Sequence, residues 1–351
     1  MSAPVSATNP KADSPLFPYI VKLIRGEHLT APDAANFFRI LTDGRHGSIQ
    51  IAAALTALTA KGETAEELAG MTKVMREQAI HLRSVPKNAV DIAGTGSSSA
   101  KTFNVSTAAA IVAAGAGLPV AKQSNRGVTT AIGSSDVLAE LGIKPAADVE
   151  TAQSALDGIE ICFMAAPKFH PSLNRVGMVR RALGIRTCLN LLGAIANPAP
   201  VSRMLIGLWH HSLISPVGNA LAMLKVDKAW VVQGVDGLDE ISISGPTHVM
   251  EAIGNKTRTF TLTPEDFGLK KGSTAGLKCH SAKESAAIIR DVLESKRRDE
   301  ARSLIVMNAA AAILIGGLAK TTLQAARLAE HSIDSGRAQT KLERLAAAGK
   351  K

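Results

Sequence analysis

The residues best suited to chemistry lie between Asp91 and Thr107, in the stretch DIAGTGSSSAKTFNVST. An apolar entry at Val90, Ile92 and Ala93 leads into a Gly94-Thr95-Gly96 turn, three serines, and an Asn104-x-Ser106-Thr107 step into an alanine-rich run. That order predicts strand, loop and helix start. Gly94 and Gly96 let backbone N–H groups come close to a ligand. Ser97, Ser98, Ser99, Asn104, Ser106 and Thr107 add donors where a helix N-terminus attracts anions, so the stretch fits a phosphate cradle as well as a plain Gly/Ser turn. It is not a P-loop, because no Gly-Lys-Ser/Thr closes it. Nor is it a dinucleotide fingerprint, because Ser99 stands where the third glycine belongs.

Three more polar segments follow short apolar runs. Lys122-Gln123-Ser124-Asn125-Arg126-Gly127 comes after Pro119 to Ala121, and AAPKFHP, with Lys168 and His170, after Ile161 to Met164. GVDGLDE, with Asp236, Asp239 and Glu240, comes after Trp230 to Gln233. Ligands of open parallel sheets sit at the carboxyl ends of the strands, so these loops are expected to converge with the glycine turn on one site.

The elements that must position them divide the chain. From Leu16 to about Arg83 the apolar period is helical, with Ser48 and Thr64 as expected N-caps of the third and fourth helices and Glu67 at the capping-box position. After Pro86-Lys87, apolar runs alternating with helical segments predict a parallel sheet with crossover helices. The expected strands are 89–93, 119–121, 159–164, 228–233, 240–243 and 258–262. The expected helices are about 105–117, 133–141, 148–156, 171–183, 200–223, 282–292, 299–319 and 321–333. The predicted fold class is therefore α/β: a helical domain over 16–85, joined by helices from about 171–223, and a larger domain over 86–351 with a central, mostly parallel sheet. Residues 1–15 read as a disordered leader, with neither the basic nor the apolar region of a signal peptide.

Composition narrows the function. The 351 residues are 46% apolar but only 3% aromatic, so the interior must be packed from aliphatic and small side chains. A net charge of +10 suits polyanionic partners. The cations are dispersed, with Lys296-Arg297-Arg298 and Lys270-Lys271 the short clusters, which favours a phosphorylated small substrate over a nucleic-acid arm. Cys162, Cys188 and Cys279 are odd in number and form no CxxC pair, as expected of reduced thiols in a cytoplasmic protein. The apolar runs at 108–121 and 304–319 are too short or too interrupted to span a bilayer.

Taken in order, GTG with TFNVST, KQSNRGVTT, GSSDVLAELGI, APKFHP, VRRALGIRT with NLLG and NP, DGLDEIS and IDSGRAQTKLERL resemble the anthranilate phosphoribosyltransferases. The resemblance runs from Leu16 to Leu345. It implies a nucleoside phosphorylase/phosphoribosyltransferase-like fold, a homodimer formed through the helical domain, and Mg²⁺-dependent transfer of phosphoribosyl from phosphoribosyl pyrophosphate to anthranilate, releasing pyrophosphate in tryptophan biosynthesis.

By the same resemblance, phosphoribosyl pyrophosphate meets Gly94, Thr95, Gly96, Ser97, Thr102, Asn104, Val105, Ser106, Thr107, Lys122, Asn125, Arg126, Gly127, Ser134 and Ser135. Ser106 helps to hold one Mg²⁺, and Asp239 with Glu240 a second. The acceptor meets Gly94, Asn125, His170, Arg180 and Gly193. Lys122, Asn125 and Arg180 carry the reaction through charge and orientation, and no general base is nominated. Arg180 suits an aromatic carboxylate because guanidinium and carboxylate pair bidentately. Adjacent carboxylates suit a largely hydrated Mg²⁺.

The sequence departs from the family pattern at named positions. Ser97-Ser98-Ser99 replaces Gly-Asp-Gly, Gln123 and Ser124 replace His-Gly, Ala194 replaces a proline, and Gln233 stands where a histidine is common. Three of these changes fall on or near the acceptor side, which makes a different aromatic acid a second candidate acceptor. A non-catalytic relative that binds nucleic acid through its positive charge and a nucleoside phosphorylase are the competing functions.

Overall fold

The computed structural model describes residues 14–96, 102–127 and 132–349. The chain opens with four helices, α1 (Phe17–Ile24), α2 (Ala31–Thr42), α3 (Ser48–Lys61) and α4 (Ala65–Glu77). Thr64 and Glu67 form the expected capping box. Ser48 is not a cap: Gly47 holds that position, and Ser48 is the first residue of α3. Glu67 also accepts from the Leu29 N–H and from Lys61 Nζ, both at 2.9 Å, so one buried carboxylate ties α3, α4 and the α1–α2 connection together.

Then follow β1 (Val90–Gly94), α5 (Val105–Gly115), β2 (Val120–Ser124), α6 (Ser134–Glu140), α7 (Val149–Ile159), β3 (Ile161–Ala165), α8 (Ala166–Phe169), α9 (Asn174–Leu183) and α10 (Cys188–Ile195). The last part holds β4 (Arg203–Gly207), α11 (Ile214–Met223), β5 (Lys228–Gly234), β6 (Thr247–Ile253), β7 (Lys256–Leu262), α12 (Ala282–Leu293), α13 (Glu300–Gly316), α14 (Thr322–Asp334) and α15 (Arg337–Ala348).

Among the described residues the strands form one sheet in the order β3-β2-β1-β4-β5-β6-β7. The first five run parallel, and β6 and β7 add an antiparallel edge. The chain order reverses between β1 and β4, the switch point where such sheets open a ligand crevice. Alternate residues face opposite layers. Leu205, Trp230 and Val232 join the core beneath α5 and α13, whereas Met204, Ile206 and Val231 join the core shared with α1–α4 and α9–α11. Both α5 and α13 are buried almost all round, which explains their apolar sequence without a membrane. No described helix is long and apolar enough to cross one.

Three expectations are corrected. Arg203–Gly207, read as the start of a helix over 200–223, is the central strand β4, and the helix begins only at Ile214. So short an apolar run, Met204 to Gly207, has no period of its own, so its neighbours β1 and β5 decide its state. Residues 240–243 are not a strand, because Asn308 of α13 takes the place of a strand partner. Its Oδ1 accepts from the Ile241 N–H at 2.9 Å and its Nδ2 donates to the Ile241 carbonyl at 3.0 Å. The unread strand β6 pairs with β7 through a two-residue Gly254-Asn255 turn, with Gly254 at φ +56°. Helices α10 and α15 also escaped the periodicity, and 171–173 is a 3₁₀ turn ahead of α9.

Candidate active site

The glycine turn and the acidic loop, 145 residues apart in sequence at Thr95 and Glu240, are one structural unit. β1 ends at Gly94, and Thr95 reaches across the switch point, its N–H and its hydroxyl donating to the Gly207 carbonyl at 3.0 and 3.1 Å. Gly96, at φ +67°, donates its N–H to Asp239 Oδ2 at 2.8 Å. The strand-end glycines make room for that carboxylate. A Cβ on Gly94 would stand 2.9 Å from Asp239 Oδ2, and one on Gly207 only 1.6 Å from the Asp239 carbonyl oxygen.

Asn104 caps α5, its Oδ1 accepting from the Thr107 N–H at 3.1 Å and from Ser106 Oγ at 3.4 Å. The backbone N–H of Asn104 donates to Ser285 Oγ of α12 at 2.9 Å, and Thr102 bridges to Lys278. On the neighbouring strand, the Asn125-Arg126-Gly127 segment is folded back onto α6. Asn125 N–H donates to Ser134 Oγ at 3.1 Å, and Asp136 Oδ2 accepts from the N–H groups of Gly127 and Gly133 at 3.2 and 2.8 Å.

These pieces enclose a cavity of about 370 Å³. Of the residues expected to bind phosphoribosyl pyrophosphate, Gly94, Thr95, Gly96, Thr102, Asn104, Ser106, Lys122, Asn125, Arg126, Gly127 and Ser134 line it. So do Arg180, Gly193, Asp239 and Glu240. Four expected residues do not. Val105 and Thr107 are the buried first turn of α5, turned into the core that the helix packs against. Ser135 donates its hydroxyl to Ser124 Oγ at 3.3 Å, behind the wall. His170 is 2% exposed and reaches the cavity only through Gln123. Ser97, Ser98 and Ser99 lie outside the described residues.

Other wall residues had no local signal. Ser285, Cys279 and His280 arrive from the far end of the chain and are brought in by α12, while Leu189, Asn190 and Ala194 come from the unread α10. Only the NLLG segment hinted at the latter.

The charges in the cavity are poorly paired. Lys122, 3% exposed, donates from Nζ to the Ile92 carbonyl. Burial holds its ammonium below the usual lysine range against the pull of Asp91, Glu240 and Asp239. Burial raises the Asp239 carboxyl despite the Gly96 N–H, and burial together with Asp239 pushes Glu240 well above the usual range despite Lys122. Two adjacent carboxylates facing one cation fit a hard divalent ion, with Ser106 Oγ and Asn104 Oδ1 as further oxygen donors nearby. Among the described residues there is no group of three or more His, Cys, Asp or Glu that could hold a metal ion. On the opposite wall, burial lowers the Arg180 pKa, and its buried Nε has no partner. A guanidinium stays charged at any working pH, so that site calls for an anion.

The α/β domain of the glycosyl transferase family matches residues 86–339, and the helical bundle domain of that family matches residues 17–79. The chain is 43% identical over 328 residues to the anthranilate phosphoribosyltransferase of Moorella thermoacetica, covering 93% of this chain and 96% of that protein. The chain belongs to the anthranilate phosphoribosyltransferase family. The counterpart from Anaeromyxobacter sp. strain K is 42% identical over 329 residues, with 94% and 97% covered. Among solved structures, the anthranilate phosphoribosyltransferase of Thermus thermophilus superposes with a TM-score of 0.88 at 34% identity, covering 95% of this chain and 99% of that one. The Saccharomyces cerevisiae enzyme in complex with PRPP and Mg gives a TM-score of 0.86 at 27% identity, with 97% and 99% covered. Both family domains and the near-complete coverage extend the likeness well beyond the site.

Proposed function

We propose that the protein transfers the phosphoribosyl group of phosphoribosyl pyrophosphate to anthranilate or a closely related aromatic acid, with Mg²⁺, as a step of tryptophan biosynthesis. The observation that carries this is the bond from the Gly96 N–H to Asp239 Oδ2, which joins the phosphate turn to the acidic pair across from an unpartnered Arg180 Nε. Anion cradle, metal ligands and carboxylate receptor thus face one cavity.

In the reaction, the acceptor amine forms a bond to the anomeric carbon as the bond from that carbon to pyrophosphate oxygen breaks. The amine then releases one proton. Mg²⁺ held by Asp239, Glu240 and Ser106 would neutralise charge on the departing pyrophosphate. Lys122 adds a buried positive charge on the same side, and the start of α5 adds the positive end of its helix dipole. Arg180 would orient the acceptor through its carboxylate, and Asn125 lines the same cavity. No general base is assigned, because the main demand of the transition state is stabilising the leaving group.

A homodimer formed through the helical module and a cytoplasmic location belong to the same proposal. Exposed Ile24 (71%) and Ile49 (86%) on α1 and α3 support the former. Nucleic acid is not favoured, since the Lys296-Arg297-Arg298 cluster is occupied in ion pairs with Glu294, Asp299 and Asp334. The test is pyrophosphate release from purified protein with phosphoribosyl pyrophosphate, Mg²⁺ and anthranilate. Asp239→Ala combined with Glu240→Ala is expected to abolish it, and an unchanged rate in that variant would overturn the metal assignment.

A further inference from the structure

Three consecutive residues ahead of α5 rest on a segment from the far end of the chain. Thr102 pairs with Lys278 in an isolated antiparallel bridge. Phe103, 2% exposed, joins the core that holds Leu277, Ala286 and Ile289. The Asn104 N–H donates to Ser285 Oγ at 2.9 Å, and Ser285 is itself 2% exposed. The segment 277–285 is thus a strap bound to the phosphate turn residue by residue.

The strap is fixed at both ends. At its head, the Leu277 N–H donates to the Thr274 carbonyl at 3.0 Å, and the Gly272 N–H donates at 2.9 Å to the carbonyl of Ile243, on the loop that carries Asp239 and Glu240. At its foot, Ser281 caps α12 by accepting from the Glu284 N–H at 3.1 Å, while Glu284 Oε2 accepts from the His280 N–H at 3.0 Å. Ser285, in the first turn of α12, therefore offers its oxygen from a preorganised place.

Asn104 has work that depends on where it stands. Its Oδ1 orients the first turn of α5 and the Ser106 hydroxyl, through the bonds described above. Its own N–H lies outside the ladder of the helix it caps, and at φ −76° and ψ 79° its backbone is not in the extended state of an ordinary N-cap. The helix alone does not hold it. Ser285 Oγ is what does.

We propose that Ser285 is a positioning residue for the transfer reaction, acting through the Asn104 backbone to hold the phosphate turn in register with the acidic loop. The assignment rests on the phosphoribosyl transfer proposed above. The strap reaches both halves of the site, the acidic loop through Ile243 and the turn through Asn104, so it sets the distance between them.

The experiment compares Ser285→Ala with the isosteric pair Ser285→Thr and Ser285→Val in the full chain, reading kcat and KM for each substrate. Loss of the acceptor of a partly buried N–H corresponds to about fivefold to a hundredfold. Ser285→Ala is expected to raise the KM for phosphoribosyl pyrophosphate about tenfold and leave that for anthranilate within about twofold, a split that a mere loss of folded protein does not produce. Thr, which keeps the oxygen, should outperform Val at least about fivefold. In an Asn104→Ala background Ser285→Ala should cost less than about twofold more, because the link it acts through is already broken. Hydrogen exchange at the Asn104 and Thr107 amides should quicken in Ser285→Ala while the rest of α12 keeps its wild-type rates. An unchanged KM for phosphoribosyl pyrophosphate, equal rises in both KM values, or Thr no better than Val would overturn the inference. Wild-type protein that binds phosphoribosyl pyrophosphate in calorimetry but turns over no aromatic acid sinks the proposed transfer alone, since the Ser285 variants can then be compared by affinity; wild type that does not bind it sinks both.

Discussion

The contact between Gly207 and Asp239 makes the sharpest prediction. Gly207 closes β4, and a Cβ added there would sit 1.6 Å from the Asp239 carbonyl oxygen and 2.4 Å from its carbonyl carbon. These are backbone atoms, so no side-chain rotation relieves the clash. Restoring an ordinary contact of 3.4 Å requires a displacement equal to the difference, about 1.8 Å, of either the acidic loop or the strand end. β4 is hydrogen-bonded on both sides, to β1 and β5, so the loop carrying Asp239 and Glu240 must move. A misplacement of about 1 Å can cost a hundredfold in rate, so Gly207→Ala is expected to lower kcat/KM by at least about a hundredfold. Overpacking should cost about 1–3 kcal/mol of stability as well. The assay is steady-state pyrophosphate release across a Mg²⁺ titration, at a temperature where circular dichroism shows the variant folded. Adding Asp239→Ala to Gly207→Ala should cost little more, because both remove the same group from the same place. A Gly207→Ala protein within about threefold of wild type, or full additivity with Asp239→Ala, would refute the reasoning.

Two further outcomes follow from the same physical terms. Burial pushes the Asp91 carboxyl up to about 6 from 3.8, against Lys122, Asn197 and Arg76. A carboxyl raised by folding binds its proton more tightly in the folded state, so its charge weakens the fold by about 3 kcal/mol above pH 6, and the penalty fades as the pH falls from about 6 to about 4. Denaturant titrations of Asp91→Asn should therefore show higher stability than wild type at pH 8 and no advantage at pH 4; a difference independent of pH counts against this origin. Gly158 lies in α7 with nothing within 4 Å of an added Cβ, so Gly158→Ala should stabilise the protein by about 0.5–1 kcal/mol, and a lower melting temperature would contradict the helix geometry.

What the sequence disclosed was what it encodes locally. The phosphate turn is contiguous, strand to loop to capped helix, so Gly94, Gly96, Asn104 and Ser106 could be placed from residue order alone. The capping box of Thr64 and Glu67 is local in the same way. β4 was not legible, because its short apolar run after Arg203 carries no period and only pairing with β1 and β5 makes it a strand. Nor was the state of 240–243, where a single asparagine on α13 satisfies backbone groups that would otherwise seek a strand. The site divides along the same line. Lys122 and the Asp239-Glu240 pair stand out as charges at strand ends, whereas Ser285 reaches Asn104 across 181 residues, and no local pattern announces it. His170 shows the converse, a conspicuous residue whose contact is made one side chain away from the cavity.

Some of the buried groups that the fold leaves unsatisfied lie at or beside the cavity. Arg180 Nε and His170 Nδ1 are buried without partners, and Glu240 is held far from its ordinary range. Asp91 Oδ1, likewise unpartnered, lies on β1, three residues ahead of the Gly94 that lines the cavity. Packing alone would favour replacing such groups with apolar ones, since buried polar atoms without partners destabilise by about 1–3 kcal/mol each. Much of the interior follows that rule, with α5 and α13 built mainly of alanine and aliphatic side chains. The exceptions beside the cavity share a chemistry: Arg180 on α9 suits a ligand carboxylate, and the Asp239-Glu240 pair on the loop after β5 suits a divalent cation that accompanies phosphate. Their burial is the arrangement a charged transition state requires, because preorganised charge in a dry site need not be reorganised when the reaction occurs.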